Sequence, residues 1–216
     1  LSLAKRLSFK HNDLNDLEAK LRKSSGRIYI AVESIYSMDG DKCPLKELIH
    51  LSEKYDATVI LDEAHSTGIM GQNGSGLAVS LGVEGRIGVR IHTFGKAMGI
   101  HGACVTGSTA LRNYLINFAR PFIYTTALPP HSIAAIDCAF EYLGQHMELQ
   151  QLLAQKIKKY SEGVSAFLPD TIRSSAIQTA IIPGNEVARQ ASQRLQQQGF
   201  DVRAILSPTV AQGTER

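Results

Sequence analysis

The chain has 216 residues, 44% hydrophobic and 20% charged, enough to bury a full core in one or two domains. Its 23 basic and 20 acidic residues leave a net charge of +3 with no block of like charge, so the balance points to neither nucleic acid nor a membrane surface as partner. Cys43, Cys104 and Cys138 are too widely spaced for a disulfide framework or a zinc site. That usage suits a reducing, cytoplasmic setting, and no apolar run reaches the length of a membrane span.

Leu14, Leu17 and Leu21 carry a helical period, with an N-cap offered by His11-Asn12-Asp13. Ile28 to Val32 is short, apolar and β-rich, which predicts a buried strand. After the turn Met38-Asp39-Gly40-Asp41, Pro44 opens a predicted helix to about Tyr55 with Leu45, Leu48, Ile49 and Leu51 on one face. Ala57 to Leu61 is the next predicted strand, with Asp62 at its carboxyl end. Gly68 to Gly76 holds four glycines and reads as a loop. Val89 to His92 predicts a strand that ends in a glycine-flanked lysine, and Ala103 to Val105 continues in strand character. Thr109 to Phe118 reads as a helix and Phe122 to Thr125 as a short strand broken by Pro129-Pro130. From His131 to about Phe167 the pattern is helical, with Gly144 as a possible interruption and Leu168-Pro169-Asp170 as its end. Ala176 to Ile182 (strand), Asn185 to Gln198 (helix) and Val202 to Leu206 (strand) complete a second, smaller α/β unit.

Strands alternating with helices predict an α/β fold on a mostly parallel sheet, in which ligands bind beyond the carboxyl ends of the strands. The expected division is a large domain over 1–140, then a linking helix and part of a small domain over 141–216. Asp62, His65 and Lys96 all fall at strand ends. A lone loop lysine is most often solvated, but Gly95 and Gly99 allow a close backbone approach to a ligand. A Schiff-base lysine must also be partly desolvated to be nucleophilic. A phosphate-loop reading of Gly95-Lys96 fails, because Arg90 stands where Walker A needs glycine and Ala97 where it needs a hydroxyl. Asp62-Glu63-Ala64-His65 also spells a magnesium-binding ATPase motif, but without a Walker A partner that match is weak. Pyridoxal phosphate (PLP) gives the three residues one purpose. A carboxylate keeps its pyridine nitrogen protonated, a histidine lies at the ring, and a lysine binds its aldehyde. Ser37 is placed to reach a cofactor oxygen, though a turn serine is the plainer reading. Thr125 and Thr126 offer paired hydroxyls to a phosphate, though threonines are also common in strands. The other histidines show no metal spacing and read as structural or surface residues.

The segments Glu33 to Asp41 (ESIYSMDGD), Asp62 to Gly68 (DEAHSTG), Thr93 to Gly99 (TFGKAMG), Phe122 to Pro130 (FIYTTALPP) and Ser207-Pro208-Thr209-Val210 together resemble the α-oxoamine synthases. These are fold-type I PLP transferases that join an amino acid to an acyl thioester with loss of carbon dioxide. The resemblance implies that Lys96 carries the cofactor and moves the substrate's α-proton, and that Asp62 pairs with the ring nitrogen. It further implies that His65 and Ser37 contact the phenolic oxygen and that Thr93 contacts the phosphate. Thr125 or Thr126 would reach the cofactor of the neighbouring subunit in a homodimer. The wording of 90–107 favours the branch of the family that uses L-alanine and a pimeloyl thioester (CoA or acyl-carrier protein) in biotin synthesis. Members using glycine or serine are the alternatives, and a non-catalytic fragment or partner subunit is the reading from another class. The family also leads one to expect sequence beyond both ends, including a ring-stacking histidine before Leu1 and a substrate-binding arginine past Arg216. Two positions depart from the pattern: Gly74-Ser75-Gly76 replaces Gly-Arg-Gly, and Val210-Ala211-Gln212 replaces Val-Pro.

Overall fold

The computed structural model describes residues 4–167 and 174–216, so the helix stop expected at 168–170 lies outside the described residues. The described residues form two compact units. One takes those up to Ser37 and Asp41–Gln155, the other Met38–Gly40 and those from Lys156 onward.

The first unit is built on a four-stranded sheet in the order β1 (Ile28–Glu33), β2 (Ala57–Asp62), β3 (Val89–Thr93), β4 (Ala103–Gly107). The first three strands run parallel, and β4 pairs antiparallel with β3. The fold is thus the expected mostly parallel α/β sheet. Helix α1 (Leu14–Leu21) begins where Asp13 accepts hydrogen bonds from the Asn15 and Asp16 amides at 3.0 Å, the favoured use of aspartate at an N-cap. Helix α2 (Leu45–Lys54) turns Leu45, Leu48 and Ile49 onto Ile30 and Val32 of β1 and Val59 and Leu61 of β2. Each such side chain, once buried, contributes about 1.5–3 kcal/mol, and this cluster is the core of the unit.

The strand Ile28 to Val32 is buried on one face only. Val32 and Ile30 point to the helices, whereas Tyr29 is 58% exposed and Ala31 is exposed. The cause is the strand's period of two, with α1 and α2 packed on a single side.

After the short helix α3 (Leu77–Ser80), β3 and β4, the chain enters α4 (Thr109–Phe118) and α5 (Arg120–Ile123). The expected strand at Phe122 to Thr125 is therefore corrected. Pro121 sits in the first turn of α5, where its missing N–H costs nothing, and Tyr124 caps the turn. The long helical stretch divides into α6 (Pro130–Gln145) and α7 (Glu148–Val164). The break falls at His146 and Met147 rather than at Gly144.

In the second unit α8 (Asn185–Gln197) forms as expected, burying Ala188 and Ser192. The expected strands at Ala176 to Ile182 and Val202 to Leu206 are not strands. Their backbones pair only at single points: Ile182 N donates to Glu215 O at 2.7 Å, and Ile205 and Arg216 exchange bonds of 2.7 and 3.1 Å. A ladder needs consecutive pairs, and β-branched composition does not supply them. Glu215 instead anchors this unit. Its carboxylate accepts from the Gly184 and Gly213 amides at 2.9 Å, and these bonds hold its pKa below the usual carboxylate range.

No helix among the described residues is long and apolar enough to cross a membrane.

Candidate functional site

Three parallel strands deliver three loops to one edge of the sheet. Glu33 at the end of β1 lies level with Asp62 at the end of β2, and Asp62 lies level with Ile91 of β3. The loops that follow carry Ser37, His65 and Lys96.

Asp62 turns the chain out of β2, its Oδ1 accepting from the Ala64 amide at 2.8 Å. Glu63, wholly buried, does something different. Its two carboxylate oxygens accept from the Leu77 and Ala78 amides at 2.8 and 3.0 Å and from the Ser66 hydroxyl. A buried carboxylate is tolerated when donors surround it in this way. Gly76, at φ +106°, makes room: a Cβ there would fall 2.7 Å from the Glu63 carboxylate. Glu63 therefore pins the loop rather than facing a ligand or magnesium, which removes the physical basis of the ATPase reading. Ser34 and Ser66 share a further buried bond of 2.8 Å, and the side chain of Gln150 reaches the Ile69 carbonyl at 2.8 Å.

The lysine loop closes on itself. Phe94 N bonds Gly102 O at 2.9 Å, Ile100 N bonds Phe94 O at 3.0 Å, and Gly99 N bonds Lys96 O at 3.0 Å. The two loops touch at Gly68, where a Cβ would stand 3.0 Å from the Ala97 Cβ and 3.4 Å from the Met98 sulfur. His65 is half-buried, and burial pushes its pKa down. The Lys96 charge acts the same way, while Glu33 and Asp62 oppose it. His65, Lys96, Asp62 and Glu33 thus form one electrostatic cluster. Lys96 itself is exposed, so the desolvation that Schiff-base chemistry requires is not supplied by its own loop.

Thr93, the last residue of β3, has a buried hydroxyl with no hydrogen-bond partner in the structure. Orphaned buried hydroxyls are uncommon and costly. Ser37 is half-buried beside Glu33, its amide donating to the Glu33 carboxylate at 3.2 Å. Thr125 and Thr126 lie on the exposed segment after α5 and make no hydrogen bond with the other candidates. An acid, a half-buried imidazole, an amine and an unfilled hydroxyl donor at one sheet edge suit a phosphorylated pyridine aldehyde. Sequence reasoning passed over Glu33, Glu63, Ser66, Thr67 and His92. Their role is to hold the loops, and nothing in the local pattern marks a polar residue that points inward.

The model of the aminotransferase class I and II family matches residues 4–216, and the chain belongs to that family. Among curated relatives it is 38% identical to 8-amino-7-oxononanoate synthase of Anaeromyxobacter sp. (strain K), over all of this chain and 55% of that protein. It is 39% identical to the same enzyme of Emericella nidulans, over 98% of this chain and 57% of the relative. The chain thus spans about half the length of these relatives. Of solved structures, a serine palmitoyltransferase from S. paucimobilis with a bound PLP–myriocin aldimine superposes with a TM-score of 0.89 at 30% identity, over 96% of this chain and 53% of that one. The 8-amino-7-oxononanoate synthase of Francisella tularensis gives 0.79 at 28% identity, over 93% and 59%. The architecture is that of the fold-type I PLP transferases.

Proposed function

We propose that the protein carrying this chain is a PLP-dependent C-acyltransferase that condenses L-alanine with a pimeloyl thioester, releasing carbon dioxide and the free thiol and forming 8-amino-7-oxononanoate. The observation that carries the reading is the convergence of Asp62, His65, Lys96 and the unpartnered Thr93 hydroxyl at one edge of the sheet. The relatives' names and the family resemblance supply the substrates.

Bound PLP supplies an electron sink for a carbanion at the α-carbon of the amino acid. Asp62, at a strand end, would face the ring nitrogen and hold a proton there. His65, kept neutral by burial and by Lys96, offers a hydrogen bond to the phenolic oxygen, with Ser37 beside it. The Thr93 hydroxyl would donate its proton to the phosphate. The Lys96 amine would hold the aldehyde and would move the proton at the substrate's α-carbon. The protein acts as a homodimer, in which Thr125 or Thr126 serves the partner's cofactor. Supporting that surface, Phe122 is 63% and Tyr124 79% exposed on the same segment, as at association sites.

The test is a matrix of alanine, glycine and serine against pimeloyl, acetyl and palmitoyl thioesters with the full-length protein. Turnover should be highest with alanine and a pimeloyl thioester. Preference for serine with palmitoyl-CoA, the reading that the serine palmitoyltransferase superposition favours, would overturn the substrate assignment. Borohydride reduction followed by peptide mapping should place PLP on Lys96, and Lys96→Ala should abolish the label.

A further inference from the structure

His92 is buried, 8% exposed, one residue before Thr93 on β3. Its Nδ1 lies 2.8 Å from the hydroxyl of Thr67, which is 4% exposed and belongs to the loop that carries Asp62 and His65. Thr67 donates its one hydroxyl proton to the Glu63 carbonyl at 2.8 Å. The hydrogen bond with His92 must then run from Nδ1–H to the threonine oxygen, which assigns the tautomer from the network. Among the described residues, and besides the strand ladder and its continuation from Glu63 N to Ile91 O, this hydrogen bond joins the Asp62 loop to the strand leading to Lys96.

We propose that His92 is a positioning residue: through Nδ1 it holds Thr67, and so fixes the loop bearing Asp62 and His65 against the strand bearing Thr93 and Lys96. The assignment rests on the PLP reading above. His92 touches no reacting atom and acts by setting the distance between the group at the ring nitrogen and the groups at the aldehyde and phosphate. A shift of an ångström in such a frame is enough to change a site's chemistry. Burial, first, and then the Arg90 charge disfavour the protonated ring, while Glu63 and Asp62 favour it. The net effect keeps the ring neutral, with a single N–H to give.

The test compares wild type, His92→Phe, His92→Asn and Thr67→Val in the full-length protein. The readouts are the PLP dissociation constant and the pH midpoint of the cofactor's visible band. Phe and Val each remove one partner of the bond and should weaken PLP binding roughly tenfold and move the midpoint. Asn places an amide N–H near the Nδ1 position and should restore both to within about twofold. Thr67→Val keeps the residue's shape and removes its bonds to both His92 and the Glu63 carbonyl, so the tie is tested from the loop side even if His92→Phe fails to fold. Wild-type values in Phe and Val, with only a lower melting temperature, would overturn the proposal, as would an Asn variant no better than Phe. A wild type with no visible band would instead overturn the PLP reading, and this proposal with it.

Discussion

The loop over 62–76 and the segment over 120–130 are held in different ways. In the first, the buried polar side chains are bonded: Glu63 to two amides and Ser66, Ser66 to Ser34, Thr67 to His92. All of these partners lie within the first unit. In the second, every residue is exposed, aromatic side chains included, although Pro121 and the first turn of α5 are regular. Backbone order in that segment comes from local helix chemistry, and its side chains stand exposed. One half of the candidate site is therefore preorganised by this chain, and the other half is presented by it.

Breaking the first region should cost most. Glu63→Ala leaves the Leu77 and Ala78 amides and Ser66 without their acceptor, and should lower the unfolding free energy by about 2–4 kcal/mol in urea denaturation. A loss below about 0.5 kcal/mol would mean that the loop is not held by this carboxylate. Next comes Thr93→Val, which removes an orphaned hydroxyl. Stability should stay level or rise slightly, while PLP affinity falls roughly tenfold by absorbance titration. A fall in both would place Thr93 in the fold rather than at the ligand.

A pH series separates the regions more gently. The pKa values of His65 and His92 are both pushed below the ordinary histidine value of about 6.5 by burial. A depressed folded pKa contributes stability that is present above the unfolded value and lost as pH falls through the lower folded value. The urea midpoint should decline as pH falls below about 6.5, and His92→Asn should make the decline shallower. An unchanged slope would show that His92 titrates alike folded and unfolded. Smallest of all, Thr125→Val and Thr126→Val should change the chain's own stability by no more than about 0.5 kcal/mol. A larger loss would mean that this segment is packed within the chain after all, and the contrast between the regions would fall.

Legibility in the sequence followed the same division. Helix α1 and its Asp13 cap, α2, α8 and the first three strands were readable because apolar period and capping chemistry are local. The placement of Asp62, His65 and Lys96 at strand ends was readable because the apolar strand runs before them are local features. The strand expected at Phe122 to Thr125 failed because aromatic and β-branched composition does not outweigh a proline in a helical first turn. The strands expected near Ile182 and Ile205 failed because pairing partners are a tertiary matter.

The sequence by itself determined where the chain turns helical, where three parallel strands end, and which acid, imidazole and amine stand at those ends. Only the tertiary structure decided that Glu63 faces inward to amides and not outward to a ligand. It also decided that Thr93 keeps an unfilled hydroxyl, that His92 ties one loop to the next strand, and that Lys96 stays exposed. The physical reason is that a polar side chain's role is set by the partners that remain for it once the backbone has folded, and those partners lie far along the chain.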